Sequence, residues 1–349
     1  MKALTFQGIE SIAYEDVPDP KICDDRDVIV KVDLCAICGS DLHVFHGREQ
    51  GLDCGSTMGH EFMGEVVETG REVSQFKVGD RVVSPFTTSC GSCFYCKSGL
   101  TARCEYGSLY GWVQDGKGLH GVQAEYVRTP HADGTLFKLP EDVPSEVGLF
   151  LGDIMATGYF VADMAGIQTS SEVCVVIGCG PVGLMAIAGA KELGARKIYA
   201  VDLLPERLQL AEHFGAIPLN PQVSDPISVI KQETSGRGAA AVMEVVGRKE
   251  TARLAYNLVR PGGTISIAGV HTDPHFPFSP PEVYDKNLTI RVGRCPARTY
   301  MEPLLKLIRK GEYDFSSMIT HRMPLSDGVK GYDIFSKRLD GCIKVLLEP

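Results

Sequence analysis

A chain of 349 residues, 44% apolar, 23% charged and 8% aromatic, has a globular composition, and its length suits two domains with a core each. With 44 acidic against 35 basic residues the formal charge is −9, which opposes binding to phosphate backbones or anionic lipid, so nucleic acid and membrane surfaces are not expected partners. Cores of this size need no staples, so the 12 cysteines are expected to be ligands, nucleophiles or core filler in a reducing compartment.

Met1 to Glu10 lacks the apolar centre of a signal peptide, because Lys2 and Gln7 interrupt it, so a cytoplasmic location is expected. Up to about residue 150 the chain reads as short β segments, among them Asp27 to Cys35, Glu65 to Thr69 and Arg81 to Val83. Ile154 to Ala162 reads as a helix. Strand and helix then alternate: strands at Glu172 to Ile177, Lys197 to Asp202, Ala239 to Val246 and Gly263 to Val270, helices at Leu184 to Leu193, Pro205 to Phe214 and Glu250 to Val259. That interval is the one expected of βαβ crossovers and a parallel sheet covered on both faces. Val173 to Ala190 is uncharged over 18 residues, but four glycines and Pro181 break it as a membrane span. After about Cys295 the regularity weakens to one helix, Met301 to Lys310, and a β segment at Ile343 to Leu347. Too short for a third core, this stretch is expected to complete the first domain, giving 1–153, an inserted 154–295, and a returning 296–349.

Within the alternating region, Gly178-Cys179-Gly180-Pro181-Val182-Gly183 fits G-x-G-x-x-G after a predicted strand, and Asp202 follows Gly183 by 19 residues. Gly178 would permit the tight turn, Gly180 the approach of a pyrophosphate to the backbone, and Gly183 close packing of helix on strand. Asp202 would accept the ribose hydroxyls and repel a 2′-phosphate, which favours NAD over NADP, with Arg207 the one nearby base that pulls the other way.

The cysteines fall into two groups. Cys90, Cys93, Cys96 and Cys104 form C-x2-C-x2-C-x7-C in one short loop, the spacing of a closed, structural zinc site, with an iron–sulfur cluster the competing reading. Cys38, His60 and a carboxylate, with Glu61 and Asp153 in the same constellation, make a three-ligand set suited to zinc with an open fourth position. Cys35 with Cys38 is also a C-x-x-C, but it precedes no convincing helix start and lies outside the βαβ region where a redox dithiol belongs.

Together, and in this order, CGSDLH at 38–43, GHEFMGEVVETG at 59–70, VGDRVV at 78–83, the four-cysteine lobe, DIMATGY at 153–159, GCGPVG at 178–183 and LVRPGGTISIAGV at 258–270 resemble the zinc-dependent medium-chain alcohol dehydrogenases. The Asp153-x-x-x-Thr-Gly stretch is similar to the subgroup with secondary-alcohol and glutathione-independent formaldehyde dehydrogenases. The resemblance implies a β-rich, GroES-like catalytic domain interrupted by a Rossmann doubly wound parallel sheet, with the active site in the cleft between them. It also implies one catalytic and one structural zinc, a small alcohol or aldehyde as substrate, and a homodimer or homotetramer. On it, Cys38, His60 and Asp153 are the catalytic zinc ligands. Glu61 is a glutamate able to approach the metal, and Asp41 orients His60. Ser40 takes the substrate proton and His43 passes it on, the alternative for Ser40 being a hydroxyl bonded to backbone. Thr157, Val182, Ala268 and Val270 line the cofactor with the glycines and Asp202. Gly39 stands where some members have a base against the pyrophosphate, so Lys344 is expected to supply that charge. Phe86 is placed like a pocket wall or a core residue. Polyol or formaldehyde oxidation, and a non-catalytic NAD- or quinone-binding relative, are the competing functions.

Overall fold

The run VIVKVDLCAI alternates strongly enough to make a central strand, Val28–Ile37, in which only Lys31 and Asp33 are exposed. In the computed structural model, which describes residues 1–167 and 172–349, the chain divides into two units: Met1–Asp153 with Pro296–Pro349, and Ile154–Cys295. The sheet of the first unit has seven strands, running Ile319–Pro324, Lys344–Glu348, Val28–Ile37, Glu61–Thr69, Arg81–Val83 and Phe137–Lys138, with Tyr126–Thr129 also paired to the central strand. Only the first two are parallel. Val28–Ile37 runs two residues past its expected end because Cys35 to Ile37 pair with Leu347 to Val345. Its neighbour starts at Glu61 rather than Glu65, since Ala36 pairs with Glu61. The core packs Leu4, Val30, Ile37, Phe62, Tyr110 and Tyr332 among others.

In the returning segment the helix is longer than expected, Ala297–Lys310, and contains Pro303. Two further elements, the strand Ile319–Pro324 and the helix Gly328–Lys337, went unpredicted. The strand is a half-exposed edge with polar Thr320, His321 and Arg322. The helix buries Gly328 and Gly331 where a sequence pattern looks for bulky apolar residues.

The second unit is a six-stranded parallel sheet in the order Ile217–Leu219, Lys197–Val201, Val173–Ile177, Ala239–Glu244, Val259–Ile267, Thr289–Val292. Val173–Ile177 is buried throughout, as a strand covered on both faces must be. The helix after it begins at Pro181 rather than Leu184, because proline suits the first helical position behind an extended Gly180. Gly158 of the helix Ile154–Met164 lies against Met185, so closely that a Cβ would fall 2.3 Å from Met185 Cβ. Val259–Ile267 ends before the predicted Val270, where the Glu244 carbonyl accepts both the Ala268 and the Gly269 N–H, at 3.1 and 3.3 Å, and closes the ladder. Among the described residues no helix is long and apolar enough to cross a membrane.

Candidate functional site

The pairing of Ala36 with Glu61 places the end of one strand beside the start of its antiparallel neighbour. Cys38, two residues beyond Ala36, and His60, one before Glu61, therefore emerge at one edge of the sheet. Asp153, the last residue before the helix Ile154–Met164, joins them. Sulfur, imidazole nitrogen and carboxylate oxygens of Cys38, His60, Glu61 and Asp153 lie within 4.8 Å of one another, and all four residues are buried. Asp153 Oδ2 is 3.3 Å from His60 Nε2 and 3.5 Å from Cys38 Sγ.

Asp41 opens a five-residue helix, Asp41–Phe45, that the sequence did not announce. Its Oδ1 lies 3.1 Å from His60 Nδ1, where it can accept the Nδ1 proton; a cation shared with Cys38 and Asp153 would then take Nε2. Ser40 caps nothing with its side chain; its hydroxyl is 3.2 Å from His60 Nε2 and 3.3 Å from Cys38 Sγ. His43 follows within the same short helix, half-buried, its N–H bonded to the Ser40 carbonyl at 3.0 Å. Phe86 is buried and meets the His60 ring edge-on, with centroids 6.4 Å apart.

The donor set fits a divalent cation. Burial, followed by the charges of Asp153 and Glu61, raises the Cys38 thiol to about 11. Glu61 Oε2 is buried with no hydrogen-bond partner among the described residues. A cation among these ligand atoms would favour the thiolate and give that oxygen a partner; mixed S, N and O donors suit zinc.

One expectation is overturned. Lys344 does not face outward as a phosphate-binding base: its side chain is 1% exposed and Nζ lies 2.5 Å from Glu61 Oε1, whose own side chain is 0% exposed. Burial disfavours the ammonium, but the charges of Glu61, Cys38 and Asp153 together with the hydrogen bond to Glu61 prevail and raise the Lys344 pKa, so the cation is committed to Glu61.

In the loop at 90–104, Cys90, Cys93, Cys96 and Cys104 likewise bring their sulfurs within 4.8 Å of one another. Backbone N–H groups turn inward on them: Ser92 and Cys93 donate to Cys90 Sγ at 3.4 and 3.3 Å, Cys90 and Tyr106 to Cys104 Sγ at 3.2 and 3.4 Å. Burial opposes the Cys90 thiolate, yet the bonds from Ser92 and Cys93 prevail and bring its pKa down to about 6. Four converging sulfurs with inward amides are the donor set that a closed, tetrahedral metal site requires. Cys35 takes no part in either group; its thiol contacts the Leu347 carbonyl at 3.7 Å, and burial raises its pKa.

In the second unit, Gly178 has φ +96°, and a Cβ on Gly183 would lie 1.8 Å from the Gly178 carbonyl oxygen, so neither tolerates a side chain. A Cβ on Gly180 would meet only the Arg207 guanidinium, 3.6 Å away, which leaves the cradle at the start of the helix Pro181–Glu192 open for a phosphate group. Val182 sits half-buried in its first turn. Asp202 is held from both sides: Oδ2 accepts the Cys179 N–H at 2.8 Å, Oδ1 those of Leu203 and Leu204 at 2.7 and 3.0 Å, and Arg207 Nη1 is 3.9 Å from Oδ2. Thr157 and Ala268 are half-buried and Val270 is 44% exposed.

Glu244, the charged end of the apolar run AAAVME, belongs to no motif yet holds this region together. Fully buried, it accepts Val246 N–H, Gly247 N–H and Thr251 Oγ1 on Oε1 at 2.9, 2.9 and 2.8 Å, and meets His271 Nε2 with Oε2 at 2.9 Å, tying the loop of Ala268 and Val270 to the next strand end. A carboxylate closing an otherwise apolar strand was the available sign.

Residues 24–141 match the family described as alcohol dehydrogenase GroES-like domain, and residues 181–310 match the zinc-binding dehydrogenase family. The chain is 46% identical over 344 residues to zinc-type alcohol dehydrogenase B of Aspergillus flavus, covering 96% of this chain and 79% of that one. Among solved structures it is similar to alcohol dehydrogenase TADH from Thermus sp. ATN1, with TM-score 0.92, 39% identity, and 100% and 99% of the two chains covered. It is also similar to 2R,3R-butanediol dehydrogenase from Bacillus subtilis, with TM-score 0.84, 29% identity, and 100% and 99% covered.

Proposed function

Because the chain belongs to the zinc-dependent medium-chain dehydrogenase family, with its GroES-like domain and Rossmann-type sheet, we propose that it is an NAD-linked alcohol dehydrogenase with two zinc sites of different purpose. It is a zinc-dependent oxidoreductase acting on CH–OH groups. In our reading Cys38, His60 and Asp153 hold the catalytic ion and the four lobe cysteines a structural one. The observation that carries this is the convergence of Cys38, His60, Glu61 and Asp153 within 4.8 Å with the Ser40 hydroxyl upon them.

When bound, zinc supplies Lewis acidity toward an alcohol oxygen and the nicotinamide accepts hydride from the alcohol carbon. Ser40 Oγ, at the ligand cluster, is placed to take the alcohol proton, and His43 to pass it to solvent. Asp41 keeps the His60 proton on Nδ1, so Nε2 stays a ligand. Lys344 holds one oxygen of Glu61 and leaves the other free to turn toward the cluster. Asp202 supports NAD over NADP, since a 2′-phosphate would meet its carboxylate, and Arg207 beside it offsets that only in part. Twelve cysteines with no disulfide among the described residues support a reducing, cytosolic setting, and the family supports a homodimer or homotetramer.

The test is NAD- and NADP-linked turnover over simple, benzylic, vicinal-diol and polyhydroxy alcohols, alongside metal analysis. Two zinc ions per chain with NAD-linked alcohol oxidation are expected. Asp153→Ala should lose one ion and reduce turnover by more than about 100-fold; full turnover in that variant refutes the assignment.

A further inference from the structure

Asp41 is held by more than His60. Its Oδ2 accepts the Cys38 N–H at 2.9 Å and Gln123 Nε2 at 3.4 Å. Gln123 is fully buried and its amide is bonded at both ends: Nε2 also donates to the Ala36 carbonyl at 3.1 Å, and Oε1 accepts the Tyr332 hydroxyl at 2.9 Å. Its backbone is pinned too, the N–H to Met58 and the carbonyl to Leu4, each at 2.9 Å. The side chain occupies the space beside Gly59, the residue before His60, whose φ is +86° and where a Cβ would lie 2.5 Å from Gln123 Cγ. Tyr332 comes from the returning helix Gly328–Lys337 and is 1% exposed; burial, with the charge of Asp41, raises its pKa and keeps the hydroxyl a donor.

These bonds have one direction. Tyr332 donates to the glutamine oxygen, the glutamine nitrogen donates to Asp41, and Asp41 is placed to accept from His60 Nδ1, which would reserve Nε2 for a bound cation. We propose that Gln123 and Tyr332 are positioning residues for the metal centre, fixing the Asp41 carboxylate and through it the tautomer and ring plane of His60, so that the returning helix sets how firmly the Cys38–His60–Asp153 site holds its ion. The proposal rests on the zinc reading above. A buried polar pair serving only the core would change melting temperature and leave the metal untouched.

The experiment measures release of both zinc ions to a chelator from the wild type, Gln123→Met and Tyr332→Phe, the four-thiol lobe serving as internal control. Outer partners of metal ligands are typically worth 10–100-fold in affinity. Release from the Cys38 site should quicken by about 10-fold or more in Gln123→Met and about 3-fold in Tyr332→Phe, with lobe release unchanged, and cobalt substituted at the Cys38 site should show shifted d–d bands. Wild-type rates in both variants, or equal acceleration at both sites, overturn the proposal. If Gln123→Met loses the lobe ion as well, Tyr332→Phe, which removes one oxygen without changing shape, decides alone. A wild type that binds one ion only instead refutes the zinc reading itself.

Discussion

Lys344→Met would leave Glu61 buried beside the ligand cluster without its counterion. The two side chains are 1% and 0% exposed, and Glu61 Oε2 has no other partner among the described residues, so no surface charge takes over. Breaking a buried ion pair from one side costs about 3–5 kcal/mol. Burial already raises the Glu61 carboxyl against the pull of Lys344, so protonation offers relief, and the expected loss at pH 7 is at the lower end, about 3 kcal/mol. Lys344→Met with Glu61→Gln, which removes both charges at similar volume, should recover to within about 1 kcal/mol of the wild type. Urea unfolding of metal-free protein reads this directly, because the only tryptophan, Trp112, lies in the unit that contains the pair. A loss below about 1 kcal/mol for the single variant, or a double variant no more stable than the single, would refute the reasoning.

Three other outcomes are expected. Gly183→Ala places a methyl 1.8 Å from the Gly178 carbonyl and should weaken NADH binding by at least about 10-fold in a fluorescence titration while both metals stay; unchanged affinity sinks the glycine-turn assignment. Asp202→Ser should lower the NAD-to-NADP ratio of kcat/KM by about 10-fold or more, and an unaltered ratio means the carboxylate does not choose the cofactor. Asp133 accepts bonds from Ser74 N, Ser74 Oγ and Gln75 N at 2.9, 2.6 and 3.0 Å; burial opposes its charge, but these bonds prevail and lower its pKa. A depressed pKa means stabilisation present above the unfolded value near 3.8 and lost as pH falls through the folded value. The melting-temperature gap between wild type and Asp133→Asn, worth about 1 kcal/mol at pH 6, should therefore close toward pH 3, and a constant gap contradicts it.

The four inner strands of the parallel sheet were legible because they are largely apolar, buried runs spaced by helices, and the glycine turn announces itself within six positions; the edge strands Ile217–Leu219 and Thr289–Val292, short and mostly exposed, were not. The sequence also singled out Cys38, His60, Asp153 and the lobe cysteines, through spacing and family pattern, and the structure brings each group together. What stayed hidden needs contacts between distant residues of ordinary local type. Lys344 reads as a strand lysine free to face solvent until the sheet places it on Glu61. Glu244 meets His271, and Gln123 meets Tyr332, across separations that carry no period. The helix Gly328–Lys337 escaped because its inner face uses glycine, and the start at Pro181 because proline reads as a break before it reads as a first turn.

The strand Lys344–Glu348 sits beside Val28–Ile37, yet Leu347 follows Cys35 by 312 residues. At about 5–20 residues per second a ribosome needs about 15–60 s to span that interval. The lobe, whose first and last cysteines are 14 apart, can bring its four thiols together almost as soon as it emerges. The edge that carries Cys38 and His60 must wait for the final strand and for the lysine that neutralises Glu61. On the two-zinc reading proposed above, the connectivity would thus order the two sites during synthesis: the four-thiol donor set complete early, the Cys38 edge only after the intervening unit Ile154–Cys295 has been made.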